Sequence, residues 1–334
     1  MSSIPLLPLF CSLILVNACG QSSIQSSFTE YQNQVGEELN ISILLNTENP
    51  SLHYPSSQQM KLDIPETTMN LRDFYALKHC PVSTLIAQRN TALGKVQLPS
   101  QRFAYEVKLI QGLNECLQQT DDEQQQQQLT QWLEDKYQTL PKVWAQMVLS
   151  SAEIRRSLST NSTLFTQISN EQLRSYQASL SLIVNLYSPT MTDIDGLEAA
   201  LNTLRQQPLP AQIWYTQNQL SFWLNNLADR LQSEFAKISC QSASSAEQIA
   251  NLKLIYEQNF IADILPVIGR LAEVHHMLEP NFKTLRNNPV LLEPFKKFLI
   301  QRKLESENYL NARHKHEKVW QNLFIKCNST NQKV

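Results

Sequence analysis

A chain of 334 residues with only six glycines has few ways to turn tightly. At the usual ~7% it would hold about four times as many. Glycine is the residue that tight β-hairpin turns and phosphate-cradling loops require, and its scarcity leaves long helices uninterrupted. Between residues 37 and 111 the one glycine is Gly94. The prediction is an all-α chain: a multi-helix antiparallel bundle of two packed helical subdomains. Apolar residues make up 42% and charged residues 17%, as in globular proteins. The length allows one large domain or two ordinary ones. A net charge of −2 selects no partner, and no nucleic-acid binding is expected.

Residues 4–18 are nearly free of polar groups, yet the run is too short to span a bilayer and is broken by Pro5 and Pro8. It reads as a cleaved signal, residues 1–18. Val16-Asn17-Ala18-Cys19 resembles the bacterial lipoprotein cleavage box, in which the cysteine is acylated and becomes the new N-terminus. Acyl chains on Cys19 would anchor the protein firmly to a membrane. Gly20 stands where an aspartate linked with inner-membrane retention would be, which points to the outer membrane, facing the periplasm. Two features depart from the pattern: no Lys or Arg precedes the apolar run, and Asn17 is uncommon in the box. The alternative is an ordinary signal peptide with a coincidental cysteine. Residues 19–27, rich in Ser and Gln, read as a tether.

With Cys11 removed and Cys19 acylated, Cys80, Cys116, Cys240 and Cys327 remain. In an exported protein they imply two disulfides, with three connectivities open.

Phe28, Tyr31, Val35 and Leu39 share a helical stripe, which predicts a first helix over 27–45. Residues 47–69, with Pro50, Pro55 and Pro65, read as an extended segment, and Asn70 as the cap of a short helix ending at Cys80. Pro81 suits a first helical position, and the apolar face continues to Gly94. Ser100 is the expected cap of the next helix. Its stripes, Phe103-Val107-Ile110-Leu117 and Tyr105-Leu109-Gly112-Cys116, predict burial over most of its girth. At 1.5 Å per residue, the arms 81–93 and 101–116 are roughly 20 and 23 Å long. Folded antiparallel they bring Cys80 and Cys116 to the same open end, which selects that pairing.

Further along, Thr120 with Glu123 reads as a capping box. The glutamines at 124–128 form an exposed first turn before Leu129, Trp132, Leu133 and Leu140, and Pro141 starts another turn. The Ser/Thr/Asn-rich stretch 150–168 is the best internal boundary, dividing an N-terminal part (28–160) from a C-terminal bundle (161–327) and a tail (328–334). Helices are expected at 170–187, opened by Ser169, and at 193–206. A long one follows from Pro208 and Pro210 to near Cys240. Ser245 opens the next, kinked at Pro266, and the last covers 291–326. If 246–286 is one kinked helix, the three long segments alternate in direction and Cys240 meets Cys327. Two separate helices there would keep those cysteines apart.

Ile86-Ala-Gln-Arg-Asn-Thr-Ala-Leu-Gly-Lys95, then Leu98-Pro-Ser-Gln-Arg102, lie between Cys80 and Cys116, and the chain closes on Trp320-Gln-Asn-Leu-Phe-Ile-Lys-Cys327. Together these blocks resemble a Gram-negative lipoprotein family catalogued as domain of unknown function 3080. The resemblance implies a location and a length, and it carries over no catalytic residue.

Sequence-local chemistry is sparse. Nucleophile elbows, P-loops, dinucleotide-binding glycine patterns and HExxH are absent. His314 and His316 are two apart on a helix and point in different directions, and His275-His276 with Glu279 has the same weakness before Pro280. Neither a metal nor a cofactor is expected. Arg89, Asn90, Lys95, Arg102 and Glu106 crowd the hairpin bend beside apolar helices. They could bind an anionic group or a partner's carboxylate, or they could hold the open backbone of the bend; the structural role is the stronger expectation. Residues 283–334 carry eleven Lys/Arg against four Glu, a face suited to anionic lipid or an acidic partner unless the fold itself pairs it. The expectation is a non-enzymatic binding or scaffolding lipoprotein with an envelope partner. A hydrolase or transferase using dispersed carboxylates is the alternative.

Overall fold

A computed structural model describes residues 23–43, 53–65, 68–91, 94, 96–159, 163–187 and 194–331. The signal segment 1–18 and Cys19 lie outside them. The described residues form helices and loops with no strand, closed by two disulfides.

Helix α1 (Ile24–Glu38) is capped by Ser23, whose Oγ accepts from the Ser26 N–H. It stops short of residue 45 because Asn40 takes the left-handed conformation, φ 55°. The Ile41 N–H then bonds the Gly36 carbonyl at 2.9 Å and the Asn40 N–H the Glu37 carbonyl at 3.1 Å, which closes the helix end.

Asn70 caps α2 (Leu71–Ala76), and Pro81 precedes α3 (Val82–Arg89), which ends before the expected residue 93. The cap of α4 (Pro99–Gln119) is Leu98 and not Ser100, because Pro99 takes the first helical position. There the Gln101 side chain accepts from the Leu98 N–H. α5 (Glu123–Ser150) is capped by Asp122, whose carboxylate accepts from the Gln124 and Gln125 N–H groups. Thr120 instead donates its hydroxyl to the Cys116 carbonyl and closes α4. Pro141 does not start a new helix; flanking Leu140, Val143 and Trp144 are buried, and their packing carries α5 through it.

α6 (Ala152–Ser159) lies within the Ser/Thr/Asn-rich stretch. Ser169, as expected, caps α7 (Asn170–Asn185), through reciprocal bonds with Gln172. α8 (Leu197–Gln206) follows Gly196, whose φ of 85° only glycine adopts without strain.

The C-terminal part is built on α9 (Leu209–Lys237) and α12 (Glu293–Asn331). Gln217 meets Ser306, Asp229 meets Lys315 and Phe235 meets Trp320, a nearly constant offset that makes the two helices parallel neighbours. The return run is one continuous helical rod: α10 (Ala243–Ile255), a π-helical stretch Tyr256–Ile264, and α11 (Leu265–Asn287). Its cap is Ser242, one turn before the expected Ser245. Where a kink is expected at Pro266, the ladder widens just before the ring, which relieves the clash a proline makes with the preceding turn. Pro280 likewise sits inside α11. This rod carries the chain back so that Cys240 and Cys327 join, Cα–Cα 5.1 Å. At the same end the Lys326 ammonium donates to the Phe235 and Ile238 carbonyls and closes α9.

The extended segment ties the parts together. Gln146 on α5 brackets it, accepting from the Leu62 N–H and donating to the Met60 carbonyl, while Tyr54 packs edge-on against Phe298 of α12.

Candidate functional site

The hairpin closes as the spacing predicts. Cys80 and Cys116 are bonded with Cα atoms 5.5 Å apart, and at the next level a Cβ on Gly112 would stand 3.2 Å from the Val82 side chain. Glycine there lets α3 lie directly on α4 near the disulfide. Toward the bend, α3, α4 and α5, with Thr68 and Met69 of the extended segment, line a half-open cavity of about 600 Å³.

Glu106 is the centre of its charged end. Although 2% exposed, it is ionically held on both oxygens: Arg102 Nε lies 2.8 Å from Oε1, and Lys136 Nζ lies 2.9 Å from Oε2. Both contacts are close yet off the hydrogen-bond direction, so their attraction is Coulombic. Arg89 and Asn90 complete this end. The Arg89 guanidinium donates to the Gly94 carbonyl and stands 6.0 Å from the Tyr105 ring centroid. Desolvation, followed by the Glu106 charge, pushes the Tyr105 hydroxyl up to about 12, against the opposing pull of Arg89 and Arg102. Two cations therefore hold one carboxylate and a third, Arg89, lines the same end, leaving it with an excess of positive charge.

Of the residues expected at the bend, Arg89, Asn90, Arg102 and Glu106 all line the cavity. Lys95 lies outside the described residues. Lys136 is the cation that sequence reasoning missed. It interrupts the stripe Leu129-Trp132-Leu133-Leu140 on the buried side of α5, and a cation in that register was the available signal.

The histidines are placed differently. His314 is exposed, while His316 is fully buried, as the two-residue spacing requires. Trp320 Nε1–H donates to His316 Nε2 at 3.2 Å, so the ring proton is on Nδ1, and the Tyr31 hydroxyl stands 3.1 Å from the same nitrogen. Phe260 of the π stretch packs 4.5 Å from the imidazole, and burial pushes His316 down to about 3. Ten residues earlier on α12, Ser306 donates to Gln217 at 2.5 Å and lies 3.4 Å from His275 Nδ1. Among the described residues, no group of three or more His, Cys, Asp or Glu is arranged to hold a metal.

The basic C-terminal stretch is largely paired where it stands. Lys296, Arg302, Lys303 and Arg313 meet glutamates on α12 itself, and Lys315 meets Asp229 on α9. Among the described residues no helix is long and apolar enough to cross a membrane.

No curated protein and no solved structure matches the chain. One family model does, over residues 28–330, from the first core aromatic of α1 to the end of α12: the chain belongs to DUF3080, a family of proteins of unknown function.

Proposed function

We propose that this protein is a lipid-anchored lipoprotein of the cell envelope, held at the outer membrane and facing the periplasm, and that its role is non-enzymatic binding. Support for the location comes from the cleavage-box residues ending at Cys19 and from two disulfides, which suit an oxidising compartment. The cavity at the hairpin carries the binding reading. Arg89, Arg102 and Lys136 face it, and Glu106 satisfies only part of that charge, so an added anion would complete the cluster. Envelope hydrolysis or group transfer would call for a second carboxylate facing Glu106. Glu106 is the one carboxylate among the described lining residues, and binding is therefore the reading we prefer.

Two measurements test this reading. Labelled palmitate enters the wild-type chain and not Cys19→Ser; incorporation that survives the substitution refutes acylation at this cysteine. Calorimetric titration with small carboxylates and inorganic phosphate gives saturable binding that weakens in Arg102→Gln. Binding that the substitution leaves unchanged removes the cavity from the function, as does the absence of saturable binding for every anion, small or long-chain.

A further inference from the structure

The cavity is divided along its length. Cys80 pairs with Cys116 and Val82 lies on Gly112, so α3 and α4 run antiparallel in a fixed register. That register sets Arg89 and Asn90 level with Glu106, and Ile86 level with Leu109. α5 returns along α4 with Lys136 at the Glu106 level, so Trp132 lies one turn farther from the bend. Every charged lining residue therefore gathers at the bend: Arg89, Arg102, Glu106 and Lys136. Beyond them, toward the disulfide, the lining from the three helices is Ile86, Leu109, Leu113 and Trp132, and Thr68 and Met69 of the extended segment complete the cavity. From Glu106 to Leu113 is seven residues of helix, or about 10 Å. The α4 stripe through Arg102 reaches Leu98, which is 59% exposed and presents an apolar surface where the bend meets solvent.

We infer that this cavity takes a single-chain anionic amphiphile, with its carboxylate or phosphate head at the bend and its hydrocarbon tail directed toward the Cys80–Cys116 disulfide. This rests on the binding reading above and adds the tail. The cations have charge to spare for the head: Arg102 and Lys136 share one buried carboxylate, and Arg89 beside them meets a neutral carbonyl. A small hydrophilic anion would leave the apolar half without a partner, and a neutral lipid would leave the charged half without one. A volume of about 600 Å³ lies within the range of small-molecule sites.

Calorimetry on the full-length exported chain carrying Cys19→Ser tests the inference. The ligands are decanoate, decyl phosphate, decanol, acetate and inorganic phosphate. At least one of the two anionic ten-carbon ligands is expected to bind one to one, and the preferred head separates a free fatty acid from a lysophospholipid-like source. From hexanoate to decanoate, affinity should rise about fourfold per methylene. Decanol should bind at least about tenfold more weakly than the preferred anion. Lys136→Met should cost that anion about tenfold while leaving decanol unchanged. Leu109→Trp, which fills the apolar half, should weaken the long-chain ligands and leave phosphate and acetate unaffected; circular dichroism confirms that each variant is folded. Equal affinity for decanol and decanoate overturns the inference. If acetate or phosphate binds as tightly as the ten-carbon anions, the tail is refuted and the simpler binding reading stands. If no ligand binds, both fail.

Discussion

Glu106 and His316 are both buried ionisable groups in helix interiors, and their surroundings are opposites. Glu106 keeps its environment ionic, with two cations within 3 Å and a cavity alongside. His316 is packed by Tyr31, Tyr256, Phe260 and Trp320, and burial holds it neutral. Space beside the group separates the two. A buried charge next to a void can trade one partner for a ligand, whereas a buried ring in a filled aromatic cluster can only hold helices together. The π stretch, often a mark of function, here serves the second kind of site: it brings Phe260 onto His316 and leads into Pro266.

Breaking the ionic group should have the largest effect. Glu106→Ala leaves Arg102 and Lys136 facing each other without their shared anion, and should cost about 3–5 kcal/mol in denaturant unfolding. Added phosphate should restore part of that loss in a concentration-dependent way, because the cations face a cavity. A variant that phosphate leaves unchanged would place Glu106 in the same class as His316.

Removing the Cys80–Cys116 bond with a double serine substitution should cost about 3–4 kcal/mol, from the loop entropy of its 36-residue separation. Hydrogen exchange should rise first in α3 and α4 and leave the His316 cluster protected. Uniform loss of protection would show that the two regions unfold as one unit.

His316→Phe should cost about 1–3 kcal/mol through the bonds lost by Tyr31 and Trp320. Its diagnostic is pH. The folded imidazole titrates near 3 and the unfolded one near its ordinary 6.5, so the unfolded chain takes up the proton first. Stability is therefore full above about 6.5 and falls as pH drops toward 3. The phenylalanine variant should lose that part of the acid slope. Wild-type and variant curves that stay parallel across this window would show that His316 does not contribute to it.

The smallest effect is expected at the hairpin floor. Gly112→Ala sets a methyl against Val82 that must be relieved by a few tenths of an ångström. About 1 kcal/mol of overpacking is offset by the better helix propensity of alanine, so net stability should change by less than about 1 kcal/mol. Decanoate affinity should shift with it if the floor shapes the cavity. An unchanged affinity would show that the tail end does not reach this level.

Local order was legible wherever one residue type dominates its own conformation. Glycine scarcity, proline positions and caps such as Asn70 and Ser169 set the helical class and several helix starts. The hairpin and its disulfide followed from helix length alone. Misplaced boundaries came where two capping residues stood close together, as Thr120 beside Asp122 or Ser245 beside Ser242, and local energies differ too little to rank them. Pro141 and Pro280 mislead for another reason: tertiary packing outweighs a local breaker inside a long buried helix.

The sequence by itself determined an all-helical chain with cysteines placed to close it, because helix geometry and residue conformational preference act over a few neighbouring positions. It also brought Arg89, Asn90, Arg102 and Glu106 to one bend. Tertiary structure alone decided that Lys136, thirty residues farther on, shares the Glu106 carboxylate, and that the polar bend opens into a cavity with an apolar far end. It also decided that His316 is sealed among aromatics from three separate segments. Those outcomes depend on which helix faces meet and where they part, and space between helices has no counterpart in the order of residues along one of them.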